Sequence, residues 1–103
     1  ATYFRLFLAD LLPPSVDEAL YLDADLLVLR SIRPLFERPL TSAIAAVDHF
    51  SPAMSLELWG AQGGDYFQAG VLLIDLHRWR EQDLQNTFMQ VLVNQKDRIH
   101  YWD

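Results

Sequence analysis

Cysteine is absent from this chain of 103 residues, so disulfides, thiolate zinc sites and cysteine nucleophiles are excluded together. Glycine and proline are scarce, at four and five residues, which excludes collagen-like repeats and low-complexity linkers. Basic residues are outnumbered 14 to 8 by acidic ones, and the formal net charge is −6. Because such a chain has no general attraction for phosphate backbones, we expect no nucleic-acid partner.

Long hydrophobic stretches are missing as well. The longest apolar run, Ala69–Ile74, ends at Asp75, whereas a transmembrane segment needs about 20 apolar residues. The start of the chain lacks the basic and hydrophobic regions of a signal peptide, and we expect no transmembrane segment. The absence of cysteine fits a reducing cytoplasm. Apolar residues nevertheless make up 51% of the chain, enough for the core of one small domain.

The apolar residues follow two patterns along the chain. Helical spacing predicts helices at Thr2–Leu12 and Leu76–Leu92, with a short turn begun by proline at Ile32–Phe36. Unbroken apolar runs, typical of strands buried on both faces, predict strands at Ala19–Leu22, Leu26–Leu29, Ala43–Val47 and Gly70–Ile74. Strands that alternate with helices indicate an α/β fold.

The chemically most informative feature is a pair of aspartates, Asp23 and Asp25, between two apolar runs. On an extended strand both carboxylates point to one side, and burying them together is costly unless a cation lies between them. Carboxylate oxygens suit Mg²⁺ or Mn²⁺, which also keep substrate phosphates in their shell. The alternative is a turn in which both aspartates cap backbone groups, the commoner meaning of an isolated Asp-x-Asp; the apolar flanks favour the metal site.

Three further positions could bind a ligand. Asp48 follows an apolar run, and open α/β sheets bind ligands beyond the carboxyl ends of their strands, although an acidic turn residue is an equal alternative. Gln68-Ala69-Gly70 offers an amide for sugar hydroxyls and a close backbone approach, or is simply the entry to a strand. Arg5 could bind a phosphate with two donors, but a solvated arginine is the commoner meaning.

Three longer motifs occur in a fixed order over nearly the whole chain. They are Ala1-Thr2-Tyr3-Phe4-Arg5-Leu6, Tyr21-Leu22-Asp23-Ala24-Asp25, and Tyr66-Phe67-Gln68-Ala69-Gly70-Val71-Leu72-Leu73-Ile74. Arg78-Trp79-Arg80 and Tyr101-Trp102-Asp103 follow them. The three motifs resemble, in order, the (A/T)TYxRL helix, the YLDxD metal motif and the YFNAGVLLIN strand of family 8 glycosyltransferases. The two shorter segments resemble the start of the family's next helix and the start of its DQD segment. Members of this family are retaining enzymes with a GT-A fold.

The resemblance implies that residues 1–103 form a partial GT-A domain, a Rossmann-like mixed sheet with flanking helices. The family's nucleotide-binding unit would precede Ala1, and the Gln of its DQD motif and its HxxxKPW segment would follow Asp103. We therefore expect this segment to be inactive by itself. Apolar strands left without cover would also favour self-association into a homo-oligomer.

Carried over by position, Asp23 and Asp25 would bind Mn²⁺ or Mg²⁺, and through it the donor diphosphate. Gln68, where the family commonly has Asn, and Asp103 would be the catalytic groups beside the donor sugar. The residues around the nucleotide-sugar would be Arg5, Asp23, Asp48, Gln68, Ala69 and Gly70.

The activity implied is transfer of a hexose from a UDP-sugar to a saccharide or glycolipid acceptor with retention of configuration. Bacterial relatives often extend the lipopolysaccharide core, which would place the enzyme in the cytoplasm, peripherally at the inner face of the inner membrane. Two alternatives remain: a noncatalytic sugar- or nucleotide-binding module of the same fold, and an assembly fragment without a ligand.

Overall fold

The computed structural model describes residues 2–48, residue 53 and residues 67–98. The described residues form both strands and helices, as expected for the α/β class. The elements are a 3₁₀ helix (Thr2–Phe7), α1 (Leu8–Leu11), β1 (Glu18–Leu22), α2 (Arg33–Phe36), β2 (Ile44–Asp48), β3 (Phe67–Asp75), α3 (Leu76–Glu81), α4 (Leu84–Asn94) and a 3₁₀ turn (Lys96–Arg98). Within these residues no helix is both long and apolar enough to cross a membrane.

The three described strands form one sheet in the order β1–β3–β2. Both outer strands pair antiparallel with β3: Leu20 lies opposite Leu73, and Asp48 lies opposite Phe67 after a register shift in β2. Because β1 and β2 both run against β3, their carboxyl ends and the amino end of β3 meet at the same edge of the sheet. Three of the four predicted strands are confirmed.

The core forms around β3, whose apolar run is buried on both faces as expected. Leu72, Leu73 and Ile74 are each at most 7% exposed, although successive side chains of a strand point to opposite faces. The helices cover one face, where a single cluster forms from Ala9, Leu72, Ile74, Leu76 and Trp79. Phe88 of α4 extends this cluster, with its ring centroid 5.2 Å from that of Trp79.

The other face of the sheet is covered more thinly, by α2 and the residues that follow it. A cavity of about 410 Å³ lies between them, and Leu20, Leu35, Val71 and Leu73 are among its lining residues. Apolar surface of this kind is what the expectation of self-association depends on. The homo-oligomer stays a prediction.

The predicted strand at Leu26–Leu29 is wrong. These residues have no regular secondary structure, and Leu27 and Leu29 are 81% and 82% exposed. A turn at Ala24 and Asp25 follows β1, and the run beyond it pairs with none of the described strands. An apolar run becomes a strand only where its backbone groups find a partner, and hydrophobicity alone does not supply one.

The helix predicted over Leu76–Leu92 is divided in two. Asp83 lies between α3 and α4 with a left-handed backbone, at a φ of 50°. Aspartate is one of the few residues besides glycine that visit this region, and the amide of Asn86 donates to its Oδ2 at 2.8 Å. The apolar spacing continues on both sides of the break, so periodicity does not reveal it.

Two arginines of α3 fasten irregular segments to this framework. The Arg80 guanidinium donates to the carbonyl oxygens of Ala9 at 3.1 Å and Val16 at 3.0 Å, and it makes longer contacts, 3.2–3.5 Å, with the carbonyls of residues 12–14. Arg78 donates to the carbonyl of Leu40 at 2.7 Å. The Arg80 guanidinium alone therefore contacts five backbone carbonyls of α1 and the loop that follows it.

We expect Arg80→Lys to lower the free energy of unfolding by about 2 kcal/mol, because one ammonium cannot reach carbonyls that a planar fork of donors reaches together. Urea denaturation of the full-length protein measures this loss. The matched control is Arg33→Lys, an exposed position where we expect a change within about 0.5 kcal/mol. Equal losses in the two variants would contradict the bridging role of Arg80.

Candidate functional site

The sheet edge where β1 and β2 end and β3 begins holds most of the predicted site residues. Asp23 directly follows β1, and its backbone N–H donates to the carbonyl of Gly70 at 2.9 Å. Asp48 is the last residue of β2. Val47, which precedes Asp48, lies opposite Gln68 on β3. The pairing thus brings five predicted positions to one edge: Asp23, Asp48, Gln68, Ala69 and Gly70.

Around Asp23 the side chains form a connected group, here called the Asp23 cluster: Arg5, Tyr21, Asp23, Ala69 and Gly70. The Tyr21 hydroxyl donates to Oδ1 of Asp23 at 2.6 Å, and Nη2 of Arg5 lies 3.4 Å from the same oxygen. Nη1 of Arg5 donates to the carbonyl of Ala69 at 2.6 Å. The Arg5 Cζ also stands 4.5 Å from the Tyr21 ring centroid, within the range of a cation–π contact.

Arg5 is not the solvated side chain that a surface arginine usually is. Its side chain is 12% exposed, and its guanidinium joins the first helical segment to Asp23 and to the start of β3. Tyr21 was missed by sequence reasoning as a site residue. The signal was available: Tyr21 and Asp23 are two residues apart at the end of a strand, and such side chains point to the same side.

The second oxygen of Asp23 faces Gly70. A Cβ built on Gly70 would lie 2.8 Å from Oδ2 of Asp23, so any side chain there would displace the carboxylate. The Asp23 side chain is itself 35% exposed. Because Gly70 has no Cβ, the Asp23 carboxylate can pack against its backbone at a partly open edge. The close approach of this backbone to a sugar stays a prediction.

The pKa of Tyr21 is raised above its ordinary value of 10.0, first because its hydroxyl donates to Asp23 and second because it is partly buried. The charges of Asp23 and Asp25 act in the same direction, and Arg5 opposes them. Because folding favours the neutral phenol, this bond contributes its stability below the pKa of an unfolded tyrosine and loses it as the pH rises through the raised pKa. Tyr21 is thus a neutral donor at physiological pH.

The expectation that Asp23 and Asp25 stand side by side on a strand shielded from solvent is wrong. Strand β1 ends at Leu22, Ala24 and Asp25 form a turn, and Asp25 is exposed. Water therefore screens the repulsion between the two carboxylates, and the fold does not need a cation to tolerate them. Their closeness in sequence still keeps both acids at the end of the strand.

Whether these residues fit a divalent ion can be judged from their donor chemistry and from the space beside them. Over residues 2–48, 53 and 67–98, no group of three or more acidic or histidine side chains is arranged to hold a metal ion. Mg²⁺ and its analogues are commonly held by one or two carboxylates together with substrate phosphates, and Asp23 and Asp25 supply two. The Asp23 side chain is 35% exposed and Asp25 is exposed, so both carboxylates are accessible to an ion. Asp23 and Asp25 therefore fit such an ion. The predicted catalytic residue Asp103 lies outside the described residues.

Comparison with known proteins identifies the family. The model of glycosyl transferase family 8 matches residues 1–103. The lipopolysaccharide 1,2-glucosyltransferase of Escherichia coli (strain K12) is 33% identical over 105 residues, which cover 97% of this chain and 31% of that protein. Glycosyltransferase GlyF of Streptococcus pneumoniae is 33% identical over 104 residues, covering 100% of this chain and 24% of GlyF.

The fold is similar to the crystal structure of the galactosyltransferase LgtC in complex with donor and acceptor sugar analogues. The TM-score is 0.82 at 33% identity, over 97% of this chain and 37% of LgtC. The chain belongs to glycosyl transferase family 8 and has part of its GT-A fold, as the resemblance implied. It spans between about a quarter and a third of the length of these two curated relatives.

Proposed function

We propose that residues 1–103 are a segment of the catalytic domain of a retaining hexosyltransferase, which moves a hexose from a UDP-sugar to a saccharide or glycolipid acceptor. The observation that carries the proposal is the meeting of Asp23, Asp48 and Gln68 at one edge of the sheet, beside Gly70. Membership of a family of sugar transferases supports it. Because the chain covers only part of its relatives, activity belongs to the full-length protein.

The acceptor and the location in the full-length protein are proposed by analogy with the relatives. One relative is a lipopolysaccharide glucosyltransferase, and LgtC is a galactosyltransferase that binds donor and acceptor sugar analogues. By analogy, the lipopolysaccharide core is the acceptor that we propose. An enzyme acting on it would work in the cytoplasm, peripherally at the inner face of the inner membrane.

In the proposed site Asp23 and Asp25 hold Mn²⁺ or Mg²⁺ and, through it, the donor diphosphate. When bound, the cation supplies electrostatic stabilisation of the charge that develops on the leaving diphosphate. The chain's own contribution is to present the carboxylates at the end of β1, where Tyr21 and Arg5 contact Oδ1 of Asp23 and Oδ2 packs against Gly70.

On the sugar side, the proposal assigns Asp48 and Gln68 to the hydroxyl groups of the donor hexose. They lie at the ends of neighbouring strands, and a carboxylate and an amide together offer acceptors and donors to a polyhydroxyl ligand. Arg5 holds the Ala69 carbonyl, which fixes the backbone that would approach the sugar. Asp103 is proposed as a second group at the same sugar, with Gln68 the other catalytic candidate.

We expect Asp23→Asn to weaken Mn²⁺ binding by about 100-fold and to abolish UDP-hexose turnover, because a neutral amide is a poor ligand for a hard cation. Calorimetric titration and a donor-consumption assay on the full-length protein measure the two effects. The matched control is Asp97→Asn, an exposed acid in the 3₁₀ turn after α4, which should change neither.

Two further measurements on the full-length protein have outcomes that would count against the proposal. Full turnover by an Asp23→Ala, Asp25→Ala double variant in the presence of chelator would show that the activity does not require a metal ion. A wild-type protein that binds UDP-hexose but never consumes it, with any saccharide acceptor, would instead be a noncatalytic binding module.

Donor choice gives a separate expectation for Gln68. Its side chain is one methylene longer than the Asn that the family commonly has, so the amide reaches about one bond length further toward the sugar. A site that hydrogen-bonds a hydroxyl rejects analogues that leave its polar groups unpaired. Gln68→Asn should therefore change the ratio of kcat/KM for UDP-glucose and UDP-galactose by about 10-fold or more, whereas Gln90→Asn on the exposed face of α4 should not. An unchanged ratio in Gln68→Asn would refute this role.

A further inference from the structure

We propose that Tyr21 is a positioning residue that holds the Asp23 carboxylate with Oδ2 packed against Gly70, the orientation in which Oδ2 binds the metal ion. This inference rests on the proposed function, since it concerns the same metal site. It assigns to Tyr21 a role in metal binding through a hydrogen bond, without direct contact with the ion or the donor.

The two oxygens of the carboxylate have different surroundings. Oδ1 of Asp23 accepts side-chain hydrogen bonds from Tyr21 at 2.6 Å and from Arg5 at 3.4 Å. The bond from Tyr21 is the shorter, and an O–H donor to a carboxylate at this distance makes a strong, charge-assisted hydrogen bond. Oδ2 is the oxygen beside Gly70. Tyr21 thus occupies one oxygen and thereby sets the direction of the other.

Tyr21 is suited to this task because it is itself held in place. It lies on β1 opposite Leu72, and its ring packs against the buried core cluster while Arg5 covers it at 4.5 Å. Asp23, in contrast, stands after the end of the strand with 35% of its side chain exposed. The hydrogen bond therefore transmits the rigidity of the core to a carboxylate that would otherwise sample several rotamers.

Arg5 is the group that competes for the carboxylate. In Tyr21→Phe the ring still packs and still supports the guanidinium, but the short bond to Oδ1 is lost. The Asp23 carboxylate is then free to turn toward Arg5, whose fork can take both oxygens. Turning would move Oδ2 out of its position against Gly70 and away from the orientation in which the proposal has it bind the ion.

The experiment titrates the full-length protein, wild type and Tyr21→Phe, with Mg²⁺ and separately with Ca²⁺ in the absence of donor. Mg²⁺ demands near-ideal octahedral geometry whereas Ca²⁺ accepts irregular ligand sets, so a positioning effect must discriminate between them. We expect the Mg²⁺ affinity of Tyr21→Phe to fall by about 10-fold, as is usual when a group that orients a metal ligand is lost, and that of Ca²⁺ to fall by less than about 3-fold.

A second variant tests the same orientation from the other side of the carboxylate. In Gly70→Ala the added Cβ would displace Oδ2 of Asp23, so the Mg²⁺ affinity should again fall more than the Ca²⁺ affinity. Urea denaturation of both variants provides the stability control. A Tyr21→Phe protein that is less stable but keeps its relative affinity for the two ions would show a merely structural tyrosine and overturn the inference.

The remaining outcomes separate this inference from the proposed function. If wild-type protein binds Mg²⁺ through Asp23 but Tyr21→Phe binds it equally well, only the role of Tyr21 is refuted. If wild-type protein binds neither ion, the metal site and the role of Tyr21 fall together.

Discussion

The pairing of β3 with a strand on each side determines where every candidate residue lies. Its apolar run is buried on both faces, and each fully buried side chain of this kind contributes roughly 1.5–3 kcal/mol of transfer free energy. That burial favours a single register for β1, because a slip of one residue would turn its half-buried side chains to the other face, whereas β2 is mostly exposed and shifts register before Asp48. The pairing of β1 and β2 with β3 therefore places Asp23, Asp48 and Gln68 at the same edge of the sheet.

A second layer of polar contacts then sets the fine geometry. Arg80 and Arg78 fasten the loops around α3 through backbone carbonyls, whereas Arg5 works within the site, between Ala69 and Asp23. Tyr21 connects the two layers because its ring belongs to the core and its hydroxyl to the carboxylate. The position of Asp23 in the site therefore depends on the hydrophobic core, through Tyr21.

Sequence reasoning could predict the strands whose apolar runs are paired, and with them the position of Asp48 at a strand end. It failed at Leu26–Leu29, because hydrophobicity cannot report whether a backbone partner exists, and at Asp83, because a left-handed residue leaves the apolar spacing unchanged. It also misjudged the solvation of Asp25, which depends on where β1 stops. Family resemblance supplied the site positions, but the bond between Tyr21 and Asp23 depends on side-chain rotamers that no motif encodes.

Anomalous diffraction from crystals of the full-length protein soaked in Mn²⁺ would locate the ion most directly. We expect a single strong peak within coordination distance of Oδ2 of Asp23, with the Tyr21 hydroxyl still bonded to Oδ1. A peak coordinated through Oδ1 with Tyr21 displaced, or no peak at Asp23 in crystals that bind UDP-hexose, would contradict the site described here.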